Sequence, residues 1–317
     1  MCKNKKDISF TILENGLDFI LSAIKYLSYE EDKYHIKYSI LHLSSGIELI
    51  FKYKLLKEDY KYIFAKIDEA DKKSFLSGNF QSVNSKECIN RLKKHCNIIF
   101  SKDDTEILGT LRKKRNMMEH LTITDSTQAL KSYFVRILNL GINFINNNFD
   151  TKKFSDNENE LLQQIRTSLV NLEEFVTHRW SEIKCEIEDH LKYNTPIKCP
   201  SCLQKALITD DGSKCLFCGY TEESEKVADK YILKVLGIDQ YETVKHGGEY
   251  PKYICSECGT DSFIHDEENE IWRCLKCGVE YSEEKVAYCT ECGEPYVINK
   301  FDDVICDTCL EYKLNKD

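Results

Sequence analysis

No proline occurs in the first 195 residues of this 317-residue chain; all four, Pro196, Pro200, Pro251 and Pro295, lie beyond them. A stretch so free of helix breakers can be helical almost throughout. There is no run of eighteen apolar residues, which excludes a membrane-spanning helix. The opening residues, MCKNKKDISFTILENGLDFI, hold neither an apolar secretory core nor a small-residue cleavage site, so the expected location is the cytoplasm. A Gly-x4-Gly-Lys-Ser/Thr loop is missing, and with it a P-loop nucleotide engine. Gly212-Ser213 is not followed by the paired acidic residues of a nucleotidyltransferase. Arginine is scarce: seven stand against 37 lysines.

Cysteine, by contrast, is abundant and ordered. Twelve of sixteen form six Cys-x-x-Cys pairs, which group into Cys199/Cys202 with Cys215/Cys218, Cys255/Cys258 with Cys274/Cys277, and Cys289/Cys292 with Cys306/Cys309. The paired turns are 12, 15 and 13 residues apart, a distance that a short β-hairpin spans to bring two turns around one ion. Glycine follows the second cysteine of four pairs, at Gly219, Gly259, Gly278 and Gly293, where the turn favours a positive φ. A reducing compartment favours metal over disulfides. Rubredoxin-type iron fits the short gaps less well, and a redox dithiol needs no six pairs. The pattern predicts three structural four-cysteine Zn²⁺ sites in small β modules. Cys2, Cys88, Cys96 and Cys185 have no partner at ligand spacing and are read as ordinary small or buried residues.

Charge divides the chain. Residues 1–195 hold 30 basic against 28 acidic side chains, and residues 196–317 hold 14 against 25. Four thiolates around each divalent ion add further negative charge. Such a surface repels phosphate, so the tail is expected to contact protein, or a basic patch of its own chain, rather than nucleic acid.

Hydrophobic periodicity fills the first part with helices. Ile12, Leu13, Leu17, Ile20, Ile24 and Leu27 recur at three- and four-residue steps, as do Ile36, Ile40, Leu43, Ile47, Ile50, Phe51 and Leu55. These predict helices over 8–28 and 33–57, followed by a short one over 85–97. Asp103-Asp104 opens another to about residue 121, and Thr124-Asp125-Ser126 opens one through about 147. Residues 158–193 read as one long helix with an apolar stripe interrupted near Arg179, either a coiled-coil connector or the last helix of the bundle. The predicted organisation is an all-α bundle over 1–150, a connector helix over 151–195, and ribbons over 196–230, 251–287 and 288–317. A short helical linker over 231–250 separates the first two. The first two ribbons share Glu-Lys-Val-Ala at 225–228 and 284–287, which reads as a duplication.

One segment of the bundle carries candidate chemistry. Leu111-Arg-Lys-Lys-Arg115-Asn116-Met-Met-Glu119-His120 sets an arginine, an amide and a histidine within six positions of a predicted helix. An arginine fork grips phosphate, and a histidine accepts a proton near neutrality. Together they suffice to cleave RNA without a metal, the histidine taking the 2′-hydroxyl proton while the arginine offsets charge on phosphorus. Two of the seven arginines fall here. His95, His178, His246 and His265 replace no cysteine at ligand spacing. Positions five apart differ by about 140° around a helix, so Arg115 and His120 share no narrow face; a symmetric dimer relaxes that constraint.

Arg115-Asn116-Met117-Met118-Glu119-His120 resembles the Arg-polar-x3-His signature of HEPN (higher eukaryotes and prokaryotes nucleotide-binding) domains, over about residues 8–150. The helix Ser44-Ser-Gly-Ile-Glu48-Leu-Ile-Phe-Lys52 looks like the acidic helix of bacterial members. The resemblance implies a metal-independent endoribonuclease of phage-defence or toxin systems, acting on RNA such as tRNA as a homodimer whose two motifs line one cleft. It implies Arg115 and His120 as catalytic, Asn116 as a phosphate contact and Glu48 as support; an ordinary i,i+4 pair with Lys52 is the other reading of Glu48. The rival function is a non-catalytic dimer whose ribbons serve as an RNA-binding or protein-interaction adaptor. A transcription-associated ribbon protein fits the acidic tail less well.

Overall fold

A computed structural model describes residues 8–29, 32–192, 194–267, 269–298 and 304–314. Cys2 lies outside them. The chain divides into two compact units, Met1–Ser181 and Glu182–Asp317.

The first unit is all helical. Its α-helices are α1 (Ile12–Ser28), α2 (Lys33–Glu58), α3 (Lys72–Ser77), α4 (Ser85–Cys96), α5 (Lys102–His120), α6 (Thr127–Asn148), α7 (Asp156–Leu169) and the start of α8 (Glu173–His190). The apolar stripes of α1 and α2 face each other: Leu13, Leu17, Ile20 and Ile24 are buried, as are Ile40, Leu43, Ile47, Ile50 and Leu55. Helix α2 is the axle, packed against α1, α4, α5 and α6. Gly46 lets α1 and α2 approach closely, since a Cβ there would lie 2.9 Å from the Gly16 carbonyl oxygen. Buried Arg91 of α4 holds the irregular segment after α2 by donating to the carbonyls of Tyr62 (2.8 Å), Phe64 (2.5 Å) and Ala65 (3.0 Å).

Helix starts are capped from the sequence. Thr11, Ser101 and Ser155 each form a reciprocal capping box, with Glu14, Asp104 and Glu158. Two of these boxes are joined, because the Thr11 hydroxyl also donates to the buried Glu158 carboxylate at 2.7 Å. The single long helix expected over 158–193 is corrected to two. At 170–172 the backbone tightens into three-residue steps, Asn171 N–H donating to the Ser168 carbonyl and Leu172 N–H to that of Leu169, both at 3.2 Å. Glu173 and Glu174 then favour a fresh helix start. Arg179 does not interrupt the second helix; it is buried, with a guanidinium nitrogen 3.3 Å from the Asn139 side-chain oxygen.

The second unit is built of three small antiparallel sheets. Strands β1 (Ile197–Lys198), β2 (Lys205–Ile208), β3 (Ser213–Cys215) and β4 (Thr221–Glu222) form the first in chain order. Helices α9 (Ser224–Lys234) and α10 (Gln240–Lys245) follow. Strands β5 (Lys252–Ile254), β6 (Asp261–Asp266), β7 (Ile271–Cys274) and β8 (Glu280–Ser282) make the second sheet, and β9 (Val286–Tyr288) pairs with β10 (Pro295–Val297) in the third, before α11 (Asp307–Leu314). Trp272 is the core of the second sheet, stacked on Phe263 and on His265 at 4.1 Å. The first two sheets are tied directly: Gly212 N–H donates to the Lys276 carbonyl at 2.8 Å and the Ser213 hydroxyl to that of Leu275 at 2.5 Å.

Candidate functional site

In each Cys-x-x-Cys turn the N–H of the residue after the second cysteine donates to the carbonyl of the first. Gly219, Gly259, Gly278 and Gly293 take φ of 71°, 67°, 74° and 77°, the conformation their placement predicts. Leu203 adopts φ 60° at the same place in the first knuckle, where no glycine stands. Sheet pairing then brings knuckles together in twos, and the four sulfurs of each set lie within 4.8 Å of one another. Opposed sulfurs are 3.9 Å apart for Cys199–Cys218, 3.8 Å for Cys202–Cys215, 3.8 Å for Cys255–Cys277 and 3.7 Å for Cys258–Cys274. The third set, on the β9–β10 hairpin and the start of α11, has Cys292–Cys306 at 3.8 Å. Thiolates about 2.3 Å from a tetrahedral zinc are separated by about 3.8 Å, whereas a disulfide needs about 2.05 Å. The residues therefore fit zinc: there are three structural four-cysteine Zn²⁺ sites. They are graded in cover. All four cysteines of the first are buried, Cys258 and Cys277 of the second are half-buried, and in the third only Cys289 is buried while Cys292 is exposed.

In the helical unit, α5 carries the Arg115–His120 segment. Ile107, Leu108, Leu111 and Met118 bury one face. Two braces fix α5 against the chain that follows it: the Tyr133 hydroxyl of α6 donates to the Ile107 carbonyl, and Lys114 pairs with Asp125. Burial raises the Tyr133 phenol pKa well above its ordinary value, which keeps it a donor.

Arg115 is partly exposed and its Nε donates to the Glu119 carboxylate at 3.2 Å. The other Glu119 oxygen lies 3.7 Å from His120 Nε2. Glu119 thus touches both, and the 140° between Arg115 and His120 is bridged within one helix. The i,i+4 spacing of Glu119 from Arg115 is the sequence signal for this pairing. His120 is the last residue of α5 and 72% exposed on its side chain. Asn116 is exposed and has no hydrogen-bond partner among the described residues.

Glu48 of α2 lies on the other side of Arg115. Together with Arg112, Cys88 and Leu111 the two line a cavity of ≈ 40 Å³, room for a water or two. Glu48 also pairs with Lys52 at 2.5 Å, and Lys52, almost wholly buried, donates to Ser82 at 2.9 Å. Burial pushes the Cys88 thiol up to about 12, which leaves it an inert wall. Glu119 thus links Arg115 and His120 on α5, Glu48 of α2 shares a cavity with Arg115, and the Asn116 side chain is apart from these contacts. Among the described residues no helix is long and apolar enough to cross a membrane. Comparison with protein-family models, with curated proteins and with solved structures finds no match to the chain in any of the three.

Proposed function

We propose that the helical unit is a HEPN-type, metal-independent endoribonuclease, a defence or toxin effector acting as a homodimer, and that its zinc modules recognise a partner protein or the substrate. The observation that carries this reading is the Glu119 carboxylate in contact with both Arg115 and His120. A histidine beside a carboxylate and an arginine fork is an apparatus suited to 2′-hydroxyl attack on a phosphodiester.

In this scheme His120 Nδ1, the ring nitrogen turned away from Glu119, takes the 2′-hydroxyl proton as the 2′-oxygen attacks phosphorus. Arg115 meets the charge that builds on the non-bridging oxygens, and Asn116, free at the surface, donates to one of them. The P–O5′ bond breaks, the 5′-oxygen leaves with a proton from solvent, and a 2′,3′-cyclic phosphate remains. Glu119 lies beside the imidazole and favours its charged form once the proton is taken, and Glu48 supports Arg115 from the α2 side. A second copy of α5 across a dimer axis would complete the cleft around the exposed His120.

The test is end-mapping of RNA incubated with the zinc-loaded chain in buffer without added divalent metal. His120→Ala and Arg115→Ala each abolish cleavage, a loss of about 10²- to 10⁴-fold for a general base. Glu119→Gln keeps cleavage at a reduced rate, since Arg115 loses the carboxylate that positions it. Wild-type activity in either alanine variant, or product ends carrying 3′-hydroxyls, overturns the proposal.

A further inference from the structure

Between the first two zinc modules lies a cavity of ≈ 340 Å³ that the proposed RNA chemistry does not use. Strands β1 and β2, helix α9 and strands β6 to β8 supply its walls. The hydrogen bonds from the Gly212 N–H to Lys276 and from the Ser213 hydroxyl to Leu275 fix the two modules against each other, so the cavity is preformed. Its volume lies in the range of small-molecule sites.

The lining is sorted by chemistry. Ile197, Val235, Ile264 and Ile271 form an apolar wall. Tyr231, Asp266 and Arg273, each under a tenth exposed, form a polar floor. Arg273 is ion-paired with Glu280, and Asp266 accepts from the Asn269 amide at 2.8 Å. The Tyr231 hydroxyl has no hydrogen-bond partner among the described residues. At the solvent side stand Lys198 and Lys205, directly opposite each other across the β1–β2 ladder and both exposed. Neither has an ion pair or hydrogen bond among the described residues, although residues 196–317 hold 25 acidic side chains. Like charges set face to face across a ladder repel. An anion between them removes that cost.

We propose that this cavity binds a small organic phosphate of nucleoside monophosphate size. Its phosphate sits between Lys198 and Lys205, its ring system lies on the isoleucine wall, and its hydrogen-bonding edge meets Tyr231, Asp266 and Arg273. Inorganic phosphate leaves the wall unused, and a fatty anion leaves the buried Tyr231 hydroxyl unanswered. A nucleic acid strand is repelled by the surrounding acidic surface, whereas a single phosphate feels chiefly the two lysines within a Debye length of about 8 Å.

Isothermal titration of the zinc-loaded full chain with AMP, GMP, CMP, UMP and inorganic phosphate tests this. At least one nucleotide binds saturably, and phosphate alone binds at least tenfold more weakly. The double variant Lys198→Gln/Lys205→Gln, at exposed positions without partners, keeps its zinc content and weakens nucleotide binding roughly 10- to 100-fold, the worth of one or two charge-assisted contacts. Val235→Trp fills the cavity and removes binding. The proposal is overturned if no nucleotide in the panel binds at millimolar concentration, if the double variant binds as the wild type does, or if phosphate alone binds as tightly as the nucleotides. The readout is heat of binding, so it is independent of whether the helical unit cuts RNA.

Discussion

Replacing Gly278 with alanine puts a methyl carbon 2.1 Å from the Thr209 carbonyl oxygen, across the joint between the first two zinc modules. Ordinary contact begins near 3.4 Å, so that carbonyl has to retreat by about 1.3 Å. Thr209 is buried, and three residues on from it the chain makes the 2.8 Å bond from Gly212 to Lys276. The substitution also forces a Cβ into φ 74°, which costs about 1–2 kcal/mol by itself. Losing one of the two cross-module hydrogen bonds adds roughly 1–3 kcal/mol. Gly259 and Gly293 are built-in controls: they occupy the same place in their knuckles at φ 67° and 77°, with nothing within 4 Å of an added Cβ. Alanine there incurs only the conformational cost. The expected gap between Gly278→Ala and either control is about 2 kcal/mol, or about 4–8 °C in the midpoint of thermal zinc release from the full chain. Equal midpoints for the three variants would refute the claim that the modules are locked by this contact.

The grading of the zinc sites sets an order of metal loss. Under a chelator with trapping of freed thiols, Cys292, Cys306 and Cys309 are alkylated first and Cys199, Cys202, Cys215 and Cys218 last, because ligand exchange needs access to the ion; a single concerted phase or the reverse order contradicts this. Arg91→Met leaves three carbonyls without their donor and destabilises the helical unit by about 2–4 kcal/mol in urea denaturation followed by helical dichroism, and a loss below about 1 kcal/mol refutes the role given to Arg91. Burial holds the pKa of His42 below the ordinary 6.5, with Asp18 opposing, while the ring shares a 2.9 Å hydrogen bond with Ser22. The folded state therefore binds fewer protons there than the unfolded chain. Its contribution is fully present above pH 6.5 and is lost as pH falls through the lowered value, so His42→Gln flattens the fall in melting temperature on acidification. An unchanged slope shows that other groups carry it.

Local signals with fixed spacing were legible in the sequence. Cysteine spacing marked all twelve ligands, and proline-free periodicity marked the bundle, with Ser101, two residues before the expected Asp103-Asp104 start, forming the α5 cap with Asp104. What escaped has no local signature. Glu-Lys-Val-Ala occurs twice, yet at 225–228 it is helical with Val227 and Ala228 buried, and at 284–287 it passes from a short 3-10 turn into β9, where Val286 pairs with Val297. Propensity cannot separate identical tetrapeptides; the neighbours decide. The break at 170–172 lay hidden because both flanking helices continue the same apolar stripe. At the candidate site the residue types were readable, but the side chain between Arg115 and His120 was not. Its role depends on which rotamer a carboxylate adopts when an arginine and a histidine lie within reach.

The bond from Thr11 to Glu158 joins residues 147 positions apart and knots the caps of the first and seventh helices into one relay. A growing polypeptide emerging from the ribosome can fold α1 against α2 early, from contacts close in sequence. The end of α1 that begins at Thr11 stays open until residue 158 has been made. Closure of that end of the bundle is thus timed by chain length, at a point where every zinc-ligating cysteine is still to be made.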